Sequence, residues 1–195
     1  MRRVGIFGGS FSPVHRGHLR LAEEASAELG LDKLYFVPTA RTPLKDPRKL
    51  LPAALRLRLL REALAGKRRF AVSRIEIDRG GTSYTVDTLA AFRRKYGRST
   101  VLYLLCGADA LRSFGRWKDP EGILRASRVV ALSRPGSRLP VVGRLIRLPM
   151  RALDVSSTRV RAGLRKGRVD TRMVAPEVAR LLRRTVIRSD RKGKH

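Results

Sequence analysis

The chain has 195 residues, one cysteine, and 44 Lys and Arg against 16 Asp and Glu, a net charge of +28. That length suits one domain with a full apolar core, and the absence of any long apolar run excludes a membrane-spanning helix. The lone Cys106 excludes an internal disulfide and fits the cytoplasm, while the charge favours polyanionic partners, nucleoside triphosphates or nucleic acid among them.

Met1-Arg2-Arg3 leads straight into an apolar segment with no cleavage-site pattern, so no signal peptide is expected. A strand is predicted near 2–8, closed by Gly8-Gly9. A helix near 17–29 carries Leu19, Ala22, Ala25 and Leu29 on one face. Leu34-Tyr35-Phe36-Val37 reads as a second strand, and Pro38, Pro43, Pro47 and Pro52 punctuate a long loop after it. A helix near 53–65, a strand near 70–77, a Gly80-Gly81 turn and a helix near 85–96 follow. Val101-Leu102-Tyr103-Leu104-Leu105 has the unbroken apolar character of a strand buried on both faces. Val129 to Leu132 is similar, and Leu145 to Leu148 is weaker. Helices near 156–165 and 176–184 end the pattern, leaving residues 188–195 as a basic, frayed tail to a single domain over 1–187. Strands alternating with helices predict an α/β fold, a Rossmann-like doubly wound parallel sheet with a small C-terminal helical segment. In such sheets the site lies at the C-terminal ends of the strands.

The stretch Gly8-Gly9-Ser10-Phe11-Ser12-Pro13-Val14-His15-Arg16-Gly17-His18 falls at that position, after strand one. The glycines allow positive φ and close approach of a ligand to the backbone, and the helix start after them offers N–H groups to phosphate. The spacing is neither a G-x-G-x-x-G fingerprint nor a P-loop. His15 and His18, two of three histidines, admit three readings. A zinc site would need further ligands, for which only His195 and Cys106 offer nitrogen or sulfur. Two surface histidines at a helix start are the plain structural alternative. Imidazole donors to phosphoryl oxygens are the third. Near the other end, Ser156-Ser157-Thr158 reads as hydroxyl caps on a helix start, with Arg161 one turn further.

Together these segments resemble the nucleotidyltransferase superfamily with an H-x-G-H motif, here His15-Arg16-Gly17-His18, and an I-S-S-T-x-[IV]-R segment, here Val155 to Arg161. Ser83-Tyr84-Thr85-Val86-Asp87-Thr88-Leu89 and Gly107-Ala108-Asp109, with Trp117 beyond, are similar to bacterial nicotinate-nucleotide adenylyltransferases. The resemblance runs from about residue 3 to 185. It implies catalysis by His18 on the α-phosphate and His15 on the triphosphate. Gly8, Gly9, Ser10, Phe11, Lys45, Ser156, Ser157, Thr158 and Arg161 would hold ATP. Tyr84, Thr85, Asp109 and Trp117 would receive nicotinate mononucleotide, with Trp117 stacked on the ring. Magnesium is expected on the ATP phosphates, with no metal ligand from the protein. The chain departs from the family at Ser12, where Asp or Asn is usual, and at Thr42 and Leu44, where Pro and His are usual. The alternatives are adenylyl transfer to nicotinamide mononucleotide or to phosphopantetheine, whose family usually has Thr in the place of His15. From another class comes a non-catalytic nucleic-acid-binding protein, motivated by the charge; the even spread of Arg reads more simply as compositional bias.

Overall fold

The computed structural model describes residues 1–42, 46, 50–133, 145–149 and 154–192, with side chains through residue 185. Six parallel strands form one sheet: β1 (Arg3–Gly9), β2 (Lys33–Pro38), β3 (Phe70–Val72), β4 (Val101–Gly107), β5 (Arg128–Ser133) and β6 (Leu145–Pro149), in the order β3-β2-β1-β4-β5-β6. β1 lies at the centre, its Ile6 opposite Tyr35 of β2 and Leu104 of β4. The strand order reverses direction there, between β1 and β4, where doubly wound sheets open a crevice.

Side chains alternate across a strand, so the central strands feed two cores. Val4, Ile6, Leu102, Leu104 and Cys106 pack with Leu89 and Phe92 of α4 (Thr85–Tyr96), Leu111 of α5 (Ala108–Leu111) and Ile123 of α6 (Pro120–Ala126). Phe7, Tyr103 and Leu105 share the opposite core with α1 (Arg16–Glu28), α2 (Ala53–Leu64), α7 (Ser157–Arg165) and α8 (Pro176–Lys192). Both faces being covered explains why these strands are continuously apolar. Gly5 has a steric reason: a Cβ there would lie 2.6 Å from Leu31 Cδ1.

The expected strand near 70–77 is cut short. β3 ends at Val72, and Ile75–Arg79 forms a short helix, α3, closed by Gly80 at φ 71°. The apolar alternation Phe70, Val72 changes phase at Ile75 and Ile77, which a continuing strand could not place on one face. An i, i+4 pair, Arg74 with Asp78, supports the helical turn. Three elements lacked a sequence prediction: α5, a 3₁₀ turn at Phe114–Arg116, and α6. α8 runs on to Lys192, into the stretch read as a tail, and residues 193–195 lie outside the described residues.

Candidate active site

The turn after β1 places His15 as the N-cap of α1, with extended backbone at φ −141° and ψ 168°. Each imidazole caps the other residue. His18 N–H donates to His15 Nδ1 at 3.3 Å, and His15 N–H donates to His18 Nδ1 at 3.2 Å. The rings stack with centroids 3.6 Å apart. A ring nitrogen that accepts carries no proton, so each ring in this arrangement bears its proton on Nε2. Burial pushes the His15 pKa down to about 4, which keeps it neutral near pH 7. His15 therefore works as a neutral donor aligned by the helix start, and both rings turn Nε2 away from the mutual cap.

The glycine pair remains extended strand, and the positive φ expected of it falls on Phe11 instead, at 41°. Gly9 is the close approach: a Cβ there would stand 3.1 Å from Phe11 Cζ. Phe11 is buried and packs edge-on against Phe7 and His18. Ser12, the departure from the family pattern, is fully buried and its hydroxyl accepts from Leu51 N–H at 2.8 Å. It ties the far end of the proline-rich loop to the turn.

α7 docks on the same turn. Ser156 caps it by accepting from Arg159 N–H at 3.2 Å. Ser157 Oγ donates to Pro13 O at 2.9 Å, and Arg161 Nη1 donates to Ser12 O at 2.7 Å while Nη2 reaches Thr158 Oγ1 at 3.2 Å. Two segments some 145 residues apart in the chain thus meet, with |i−j| of 144 and 149. Burial and the nearby Arg165 charge lower the Arg161 pKa, yet a guanidinium stays charged at neutral pH.

The near end of the loop connects the turn to the second predicted segment. Thr39 N–H donates to Gly9 O at 3.0 Å, Ala40 N–H to Ser83 Oγ at 3.0 Å, and Ser83 N–H to Arg41 O at 2.7 Å. Tyr84 is the N-cap position of α4 without a side-chain cap bond, and Thr85 opens the helix. Lys118 joins this segment to the Trp117 region: its Nζ lies 4.9 Å from the Tyr84 ring centroid and 3.3 Å from Asp87 Oδ2. Trp117 is half-buried against Phe114 and donates from Nε1 to Ser113 Oγ at 3.2 Å. Asp109 follows β4. It lies in the first turn of α5, exposed, with Arg112 at 3.4 Å. Lys45 lies outside the described residues.

Three participants had no sequence prediction. Arg56 of α2 is 2% exposed and donates to Leu51 O and Ser10 O, each at 3.0 Å. Glu76 is buried beneath the Tyr84 segment, where Thr88 Oγ1 donates to its Oε1 at 2.7 Å; burial pushes its pKa up, against Thr88, Ser83 and Arg79. Lys118 is the third. Each is a charged side chain made special only by its tertiary neighbours. Among the described residues no group of three or more His, Cys, Asp or Glu could hold a metal ion. The donors here are hydroxyls, imidazoles, guanidinium and main-chain N–H, a set complementary to phosphate. Cys106 is buried, its pKa pushed up to about 12, so it offers no thiolate.

Comparison with known proteins matches residues 6–163 to a cytidylyltransferase-like family model. A Moorella thermoacetica protein named "Probable nicotinate-nucleotide adenylyltransferase" is 45% identical over 173 residues, 82% of this chain and 79% of its own. One of the same name from Thermus thermophilus is 43% identical over 171 residues, covering 85% of this chain and 88% of its own. In fold, the chain is similar to a Plasmodium falciparum nicotinic acid mononucleotide adenylyltransferase solved with NaAD, with a TM-score of 0.76 at 15% identity, covering 95% of this chain and 96% of that one.

Proposed function

The chain belongs to the cytidylyltransferase-like family, among its nicotinate-nucleotide adenylyltransferases, and we infer that it transfers the adenylyl group of ATP to nicotinate mononucleotide, a step of NAD biosynthesis. The products are nicotinate adenine dinucleotide and pyrophosphate. The observation that carries the reading is the reciprocal His15–His18 cap, docked against Ser157 and Arg161.

An oxygen of the mononucleotide 5′-phosphate attacks the α-phosphorus of ATP. A new P–O bond forms as the bond from the α-phosphorus to the α,β-bridging oxygen breaks, and that oxygen leaves on pyrophosphate. The attacking phosphate is already an anion, so no base is required and no covalent enzyme intermediate forms. Positioning and charge stabilisation are what the protein contributes. His18 donates from Nε2 to the α-phosphate, where charge grows in the transition state. His15, held neutral, donates to the triphosphate without adding a buried positive charge beside the stacked ring. Arg161, Lys45 and the Ser156–Thr158 helix start neutralise phosphate, as do the N–H groups along Gly8–Phe11. Magnesium bound to ATP would neutralise triphosphate charge beside Arg161 and the Ser156–Thr158 helix start. Trp117 stacks on the nicotinate ring, Tyr84 and Thr85 receive its carboxylate, and Asp109 faces the sugars.

No described helix is long and apolar enough to cross a membrane. A buried unpaired thiol fits a reducing cytoplasm. The test is product balance: MgATP and nicotinate mononucleotide should give one pyrophosphate per dinucleotide. Pyrophosphate released without dinucleotide would be hydrolysis and would overturn the reading.

A further inference from the structure

Arg56 is an arginine in an unusual setting. It is almost fully buried, and its guanidinium meets two main-chain carbonyls, Ser10 O and Leu51 O. Among the described residues no carboxylate lies within ion-pair distance of it. A buried cation faced only by carbonyl dipoles is a costly arrangement in isolation, and a nearby anion relieves it. The nearest chemistry that brings an anion is the turn to which Arg56 is bonded.

The bond to Ser10 O has a directional consequence. In a trans peptide the C=O and the following N–H point opposite ways. Fixing Ser10 O on Arg56 therefore aims the Phe11 N–H away from α2, to the other side of the turn. Phe11 is 1% exposed, has φ 41°, and its N–H donates to no acceptor among the described residues. Buried N–H groups are rarely left so, and one presented by a strained turn marks a place where a ligand oxygen sits. Leu51 completes the arrangement. Its carbonyl accepts from Arg56 and its N–H donates to Ser12 Oγ, so one guanidinium anchors both the turn and Leu51 beside it.

We propose that Arg56 is a positioning residue for ATP: from beneath the turn it orients the Ser10–Phe11 peptide so that the Phe11 N–H meets a phosphate oxygen, and it sets the turn's electrostatics in favour of that anion. The proposal rests on the adenylyl-transfer reading for the identity of the phosphate as that of ATP. Arg56 itself touches no reacting atom.

The experiment compares wild type with Arg56→Met and Arg56→Lys. Each is checked for folding by circular dichroism, then titrated separately with MgATP and with nicotinate mononucleotide by calorimetry, and assayed well below its melting temperature. Folded Arg56→Met is expected to lose about tenfold in ATP affinity and about 10²-fold in kcat/KM for ATP, the scale of a misplaced binding group. Its affinity for nicotinate mononucleotide stays within about threefold, and Arg56→Lys, which keeps the charge but not the fork, falls between. Folded Arg56→Met with ATP binding and turnover within about twofold of wild type would overturn the proposal, as would equal weakening of both ligands, which marks a merely structural role. If Arg56→Met does not fold, Arg56→Lys decides by the same selectivity for ATP. Absence of turnover in wild type would refute the functional reading alone, and the ATP titrations would still decide the role of Arg56.

Discussion

Gly17 shows how little space the two imidazoles leave. A Cβ there would stand 3.1 Å from His15 Nδ1 and 3.2 Å from its Cε1, tighter than ordinary contact. Alanine is otherwise the better helix former by about 1 kcal/mol. Gly17→Ala is therefore expected to keep or raise the melting temperature while lowering kcat by tilting His15, a divergence that calorimetry and a rate assay read together. His18→Ala should lower kcat by about 10² with the fold intact, the loss of one transition-state donor. The His15 pKa, near 4 when folded against 6.5 when exposed, makes stability fall as pH drops from about 6.5 to 4, because the unfolded chain then binds the extra proton. The loss is of order 3 kcal/mol. His15→Asn keeps an N-cap acceptor and should flatten that acid limb in urea melts at pH 4 to 7. The spacing of His15 and His18 was legible in the sequence. Their mutual capping was not, since it depends on the extended backbone that turns His15 back over its own helix. Arg56 was hidden for a different reason: among 44 basic residues, nothing local distinguishes the buried one.

Elements show the same division between local and tertiary signals. Ser156 as the cap of α7 could be read from Ser-Ser-Thr, and Ser156→Ala should cost about 1 kcal/mol in stability and weaken ATP binding as the helix start loosens. Ser157 and Arg161 also look like cap and helix residues. Their bonds to Pro13 O and Ser12 O are long-range facts, and make α7 a buttress of the turn after β1. Arg161→Ala should accordingly raise KM for ATP by about tenfold or more, with a smaller effect on melting than a core substitution. α6 carries a local signal of its own in Asp119-Pro120-Glu121: Asp119 accepts from Gly122 N–H at 2.8 Å and Pro120 occupies the first helical position. β3 failed in the opposite sense. Apolar Ile75 and Ile77 resemble strand, and only the phase change after Val72 betrays the helix.

For the whole molecule, the parallel, doubly wound character of the sheet was implicit in alternating strands and helices, while the order β3-β2-β1-β4-β5-β6 is set by tertiary pairing. The belt from α7 through the turn and loop to Tyr84 and Lys118 was not implicit, since it consists of contacts between distant segments. The net charge of +28 acts at this scale as well. A field of that sign concentrates both anionic substrates, MgATP and the mononucleotide, and salt screens it. Raising ionic strength from about 0.05 to 0.5 M should therefore raise KM several-fold for MgATP and for nicotinate mononucleotide alike. The family, fold and belt converge on one claim, that this chain adenylylates nicotinate mononucleotide. The direct measurement is pyrophosphate release from MgATP with nicotinate mononucleotide, nicotinamide mononucleotide and phosphopantetheine as separate acceptors. The largest kcat/KM is expected with nicotinate mononucleotide, because a site that pairs a carboxylate would reject the neutral amide. Equal kcat/KM for the two mononucleotides, or turnover with phosphopantetheine alone, would contradict it.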